Sequence, residues 1–107
     1  MDDKIILHLT LKKKWFDMIL SGIKKEEYRE IKPYWIKRLV ANPLLSGIVY
    51  KRFTHVAFKN GYNKNSREIL VEVEDIRTSK GKVEWGATEG VKCFVIELGK
   101  IVQAKNM

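Results

Sequence analysis

Within eight residues, Gly22-Ile23-Lys24-Lys25-Glu26-Glu27-Tyr28-Arg29, the chain sets a glycine, a lysine, a carboxylate and a guanidinium at the spacing G-x-K-x-x-E-x-R. Glycine adopts positive φ without Cβ strain, so Gly22 can end a helix and turn the chain sharply. If the chain then runs extended, Glu27 and Arg29 share a face and Tyr28 points the other way. Lys24, just past the turn, can fold back towards that face. A cation, a carboxylate and a guanidinium gathered at one spot suit contact with a phosphate or a base edge. A desolvated Lys24 beside Glu27 suits general acid–base work on a phosphodiester or amide. The plainer reading is a solvated ion pair between Glu27 and Arg29, worth about 0–1 kcal/mol, with Lys24 in water.

Other residues offer weaker chemistry. Lys12-Lys13-Lys14 fall in the first turn of a helix, where each cation opposes the macrodipole by about 0.3–1 kcal/mol at low salt. Free backbone N–H groups together with lysines suit a phosphate; three flexible side chains pointing into water are the alternative. Lys32, Lys37 and Arg38 can extend the basic surface that Lys24 starts. Tyr62, among Lys59, Lys64 and Arg67, suits stacking on a single-stranded base, or it covers the core of an ordinary hairpin loop. His8 reads as a structural residue more readily than as a base. Glu72 and Glu74 read as a solvated strand face. Glu84 and Glu89, near Trp85, are further carboxylates that no spacing rule ties to a site.

The elements that must position these groups follow from periodicity. Residues 4–10 alternate as a strand, with Ile6 and His8 on one face and Ile5, Leu7 and Leu9 on the other. Thr10 is a candidate N-cap for a helix over 11–21, whose apolar stripe is Trp15, Met18, Ile19 and Gly22, widened by Phe16 and Leu20. Pro33 suits the first position of a second helix over 33–41, with Trp35 and Leu39 facing inward. Asn42-Pro43 ends it, residues 43–47 read as a loop, and 48–50 as a short strand. A firmer strand covers 54–59, and 60–66 carry turn chemistry. The next strand runs 68–77, with Ile69, Val71 and Val73 on one face. A turn over 78–82 follows, then Trp85 between small residues, where it can line a cleft or plug a barrel end. The last strand spans 91–102, with Phe94, Ile96 and Leu98 on one face, and residues 103–107 are expected to fray.

Two early helices followed by four or five strands do not alternate as a parallel α/β protein would. The expected fold is α+β, one domain over 1–107: a small, mostly antiparallel β-barrel with two helices of the N-terminal half packed at one side. The 107 residues can bury a single modest core, and a hydrophobic fraction of 45% argues against disorder. No apolar run approaches the roughly eighteen residues of a membrane helix. The acidic opening Met1-Asp2-Asp3-Lys4 lacks a signal-peptide plan, so the expected location is the cytoplasm, without a membrane partner. The lone Cys93 sits in an apolar run and reads as a small buried hydrophobe. With two scattered histidines it makes no case for zinc, and neither metal nor other cofactor is expected. A net charge of +8 and a pI near 9.6 favour polyanions, chiefly nucleic acid.

The octet resembles the signature of the ASCH (activating signal cointegrator homology) domains, a branch of the PUA-like fold. There a helix leads into G-x-K-[ST]-x-E-x-R, often with an aromatic or aliphatic residue before the arginine. Gly22, Lys24, Glu27, Tyr28 and Arg29 fit, while Lys25 stands where a small hydroxyl residue is usual. The opening Ile5-Ile6-Leu7-His8-Leu9, the run from Trp15 to Gly22, the chain length and the strand Cys93 to Leu98 are compatible. The middle of the chain is matched only by general architecture.

The resemblance implies a β-barrel whose signature residues line a cleft against the helices. It also implies an RNA- or nucleotide-binding module, with Lys24 and Arg29 on phosphate or a base edge. Glu27 would orient Arg29 or accept from a base amino group. Lys12, Lys13, Lys14, Lys37 and Arg38 would then supply sequence-independent attraction. An enzyme of the same family is the alternative. Some small bacterial ASCH proteins hydrolyse acetylated cytidine and others are reported as ribonucleases; the former carry their proposed threonine nucleophile where this chain has Glu27. A protein-interaction domain using the basic face is the third reading. The oligomeric state is open.

Overall fold

Leu7 and Leu9 alternate with the exposed His8 along the first strand, β1 (Ile6–Thr10), and this period-two pattern lays β1 on the core. A computed structural model describes residues 3–42 and 47–107. Its remaining elements are helix α1 (Lys13–Leu20), β2 (Glu26–Arg29), helix α2 (Pro33–Leu39), β3 (His55–Lys59), β4 (Glu68–Lys80), a 3₁₀ turn (Val83–Trp85) and β5 (Lys92–Lys105).

The strands form one sheet in the order β1-β3-β4-β5-β2. β1 pairs with β3 in parallel and the other three pairings are antiparallel. The expected mostly antiparallel barrel is therefore a mixed, curled sheet, a half-barrel. Among the described residues no ladder joins its two edge strands, β1 and β2. The ladder of β4 and β5 shifts register three times between Leu70 and Asp75. Such irregularities bend a strand and sharpen its twist. The bend lets β5 pair with β2 through Phe94–Glu97 while its far end pairs with the start of β4.

The core is one cluster. Leu7 and Leu9, Val56 and Phe58, and Ile69 and Val71 lie in register across β1, β3 and β4, all buried. Phe16 and Ile19 of α1 and Leu39 of α2 close over them, with Phe94, Ile96 and Leu98 of β5. Burying side chains of this size contributes roughly 1.5–3 kcal/mol each. Cys93, the one cysteine of the sequence, is buried.

Several boundaries differ from the periodicity. Thr10 does not cap α1; it stays in β1, and Leu11 N–H donates to Lys59 O at 2.8 Å. Pairing thus carries the chain past Thr10, and Lys12 becomes the N-cap, without a side-chain cap bond. The second helix stops at Leu39 rather than 41, because Val40 bridges Tyr50 and Ala41 N–H donates to Val49 O. Tyr50 takes part in that isolated bridge only, so 48–50 is not a strand; the loop expected from 43 lies outside the described residues as far as Ser46. Residues 78–80 are not a turn, since Thr78, Ser79 and Lys80 pair with Phe94, Cys93 and Lys92. Residues 103–105 do not fray: Gln103, Ala104 and Lys105 pair with Leu70, Ile69 and Glu68.

Just past the end of β4, at Gly81, bare backbone meets an aromatic ring. A Cβ there would stand 2.6 Å from Tyr28 Cε1 and 2.8 Å from the Ala87 Cβ. Gly81→Ala is expected to destabilise the domain by about 1–3 kcal/mol, the usual cost of overpacking. A urea melt reads this as a lower midpoint, and an unchanged midpoint would show that the ring gives way freely.

Candidate functional site

The site begins with the way α1 ends. Gly22 has φ +84°, its N–H donates to Ile19 O, and the Ile23 N–H donates to Met18 O, each at 3.0 Å. This pair of bonds is a Schellman cap, which a left-handed glycine makes without strain. Lys24 N–H also donates to Met18 O at 3.0 Å. The cap turns the chain into β2 and aims Lys24 back over it.

In β2, Glu27 lies opposite Ile96, which lies opposite Ile76, and Arg29 lies opposite Phe94. Cross-strand partners share a face, so Glu27 stands on the side of the sheet that holds Phe94 and Ile96. Only 6% of its side chain is accessible. Two cations meet it there. Lys24 Nζ, with 1% of its side chain accessible, is 3.2 Å from Glu27 Oε1. Arg29 Nη1 donates to Glu27 Oε2 and, at 2.8 Å, to Tyr28 O. Lys24 Nζ further donates to Trp85 O at 2.6 Å and lies 4.8 Å from the Tyr28 ring centroid and 5.3 Å from that of Trp15. Burial lowers the lysine's pKa, against the opposing pull of the Glu27 charge.

Tyr28, on the opposite face, braces this wall. Its hydroxyl donates to Glu26 Oε1 at 2.7 Å and accepts from the Lys82 N–H at 2.9 Å. Burial, with help from Glu26, pushes the phenol well above its ordinary range, so it remains a donor. Arg77 then ties β4 to β5 and β2 through Glu97 and Glu26, at 2.8 and 2.9 Å.

Above the triad opens a cleft of about 290 Å³ whose lining includes Lys12, Trp15, Glu27, Arg29, Trp85 and Gly86. A neighbouring hollow of about 330 Å³ shares Tyr28, Arg29 and Gly86 with it. Arg29 is thus common to both, and its side chain is 17% accessible. Among the described residues nothing accepts from its Nε or Nη2. Gly86, at φ +104°, passes close to the Trp15 ring: a Cβ there would be 3.1 Å from Trp15 Cζ2. The cleft therefore has indole walls, a guanidinium with free donors, and a carboxylate flanked by two cations.

The residues singled out in the sequence separate into groups. Lys24, Glu27 and Arg29 come together, with Lys24 beneath the cleft rather than lining it. Of the three helix-start lysines, Lys12 lines the cleft, Lys13 pairs with Asp17 at 2.7 Å, and Lys14 lies over the Trp15 ring. Lys37 and Arg38 face a different groove, beside β1. Tyr62 is 90% exposed, so it covers no core, and it lines none of these hollows. The periodicity favours Trp15 as core over a ligand-box residue and turns Trp35 inward, and both do pack against the core. Trp15 walls the cleft, and the Trp35 ring lies under the Arg29 guanidinium, 5.1 Å from its Cζ. The Trp85-Gly86 pair was a usable signal for a cleft wall.

Among the described residues no helix is long and apolar enough to cross a membrane. No family model, curated protein or solved structure matches the chain.

Proposed function

We propose that the chain is an RNA- or nucleotide-binding domain of the ASCH type, a branch of the PUA-like fold, and that its ligand sits in the cleft over Glu27 and Arg29. One observation carries this reading: a buried Lys24–Glu27–Arg29 triad that leaves Arg29 with free guanidinium donors at an indole-walled opening. Two cations against one carboxylate leave the triad net positive, which suits a phosphate. The indoles of Trp15 and Trp85 suit a base, since stacking on an aromatic ring contributes about 1–3 kcal/mol per base. In this reading Glu27 holds the Arg29 fork in place, and Lys24 acts through Glu27, as a positioning residue.

A hydrolytic reading draws on the same pair, because the lowered Lys24 pKa beside Glu27 suits proton transfer. It requires Lys24 Nζ to leave Trp85 O and reach the cleft. Turnover of acetylated cytidine that disappears in Lys24→Ala, in a folded variant, is what that reading needs.

The binding reading predicts a steep salt response. With three or four phosphate contacts, log K for a single-stranded RNA should fall against log salt with a slope of about −2 to −3, at roughly 0.7 per contact. Fluorescence anisotropy over a salt series measures it. A flat response would take the RNA phosphates out of the account.

A further inference from the structure

Outside the triad, Lys13 and Arg67 share Asp17, Lys32 meets Glu30, and Arg77 reaches three acids. The groove between β1 and α2 instead gathers three basic side chains with no carboxylate among them. It measures about 480 Å³, and its lining includes Lys37, Arg38, Lys51, His8, Tyr34 and Phe53, with no carboxylate. Among the described residues none of its three cations has an ion-pair partner. Two of them are held instead by neutral oxygens: Arg38 Nη2 donates to His8 O and Nη1 to the Tyr34 hydroxyl, each at 3.3 Å, and Lys51 Nζ donates to Lys37 O at 2.9 Å. Three like charges are thus gathered around one concavity without compensation, which favours an anion between them.

The aromatic content narrows the anion. Tyr34 is 62% exposed, and its ring lies under Arg38, with Cζ 5.7 Å from the centroid. An open ring beside a guanidinium suits a stacked base as well as a phosphate. Trp35 links the groove to the cleft, since the Cζ atoms of Arg29 and Arg38 lie 5.1 and 5.3 Å from its centroid. No more than the sum of those distances separates the two guanidinium carbons, so a single strand can reach both.

We propose that this groove is a second nucleotide subsite, which takes the backbone phosphates of a single-stranded RNA leaving the cleft and stacks one of its bases on Tyr34. The proposal rests on the reading of the cleft as an RNA site. Lys37 and Lys51 hold phosphate oxygens as mobile point charges, and Arg38, fixed by His8 O, sets the strand's path.

The test uses fluorescence anisotropy with labelled uridylates, a mononucleotide that cannot reach from the cleft to the groove and a decanucleotide. The proteins are the unaltered chain, the double variant Lys37→Ala with Lys51→Ala, and Arg29→Ala. Both lysines are exposed, so the double variant keeps the fold. It should bind the decanucleotide about tenfold more weakly, with a salt slope shallower by about 1, and the mononucleotide within about twofold. Arg29→Ala should weaken both. A decanucleotide unaffected by the double variant, while Arg29→Ala weakens both ligands, would remove the groove and leave the cleft standing. Indifference of both ligands to Arg29→Ala would remove the cleft reading and this proposal with it. Displacement of the decanucleotide by oligoglutamate at equal charge would assign the groove to an acidic protein partner and overturn the RNA subsite.

Discussion

Glu27→Ala is expected to lower the stability of the domain by about 3–5 kcal/mol, because it leaves two cations facing each other without the carboxylate between them. Lys24 is enclosed by Trp15, Tyr28 and the Trp85 carbonyl, so its charge has no route to water without opening that wall. A loss of this size is a large part of the roughly 5–15 kcal/mol that holds a typical domain folded. Lys24→Met should behave differently. It removes one cation and leaves Glu27 paired with Arg29, and its apolar replacement sits against the same two rings. Replacing a buried charge that leaves its partner compensated should cost no more than about 1–2 kcal/mol. Urea denaturation of both variants measures the contrast. Equal, small losses would mean that Glu27 is solvated and that the triad is an ordinary surface ion pair.

The second large effect concerns binding. Arg29→Ala should weaken single-stranded RNA by about 10- to 150-fold, the range expected when charge-assisted hydrogen bonds worth roughly 1.5–3 kcal/mol are lost. The fold should survive, because Glu27 keeps Lys24 as a partner. Arg29→Lys retains the charge but not the planar fork, so it should recover only part of the affinity. Anisotropy titrations give the affinities and circular dichroism checks the fold. Full affinity in Arg29→Lys would show that a point charge suffices and that the fork recognises nothing.

The core of this site was legible because its signals are local. Gly22 ends α1 in the left-handed conformation that only glycine takes cheaply, and the period of two puts Glu27 and Arg29 on one face. Their depth was not legible. Glu27 is buried because β5 brings Ile96, and β4 brings Ile76, into register with it, and those pairings span most of the chain. The same non-local pairing explains the other differences. Residues 103–105 look like a polar tail until β4 supplies their ladder, and Thr10 looks like a cap until β3 holds it extended. The parallel pairing of β1 with β3 was not legible either, since β1 alternates as an antiparallel strand would and the short buried run Val56-Ala57-Phe58 of β3 does not by itself set a direction. Lys12, Lys13 and Lys14 are equivalent in the sequence, and only the helix phase sends Lys12 to the cleft and Lys13 to Asp17.

The most direct measurement is a chemical-shift titration of the isotopically labelled domain with a short single-stranded RNA. Shifts should cluster at Lys12, Glu27, Arg29 and Gly86, with the indole N–H signals of Trp15 and Trp85 moving in step. Saturating addition that moves none of these signals, or that moves only residues 60–66 around Tyr62, would contradict the cleft as the binding site.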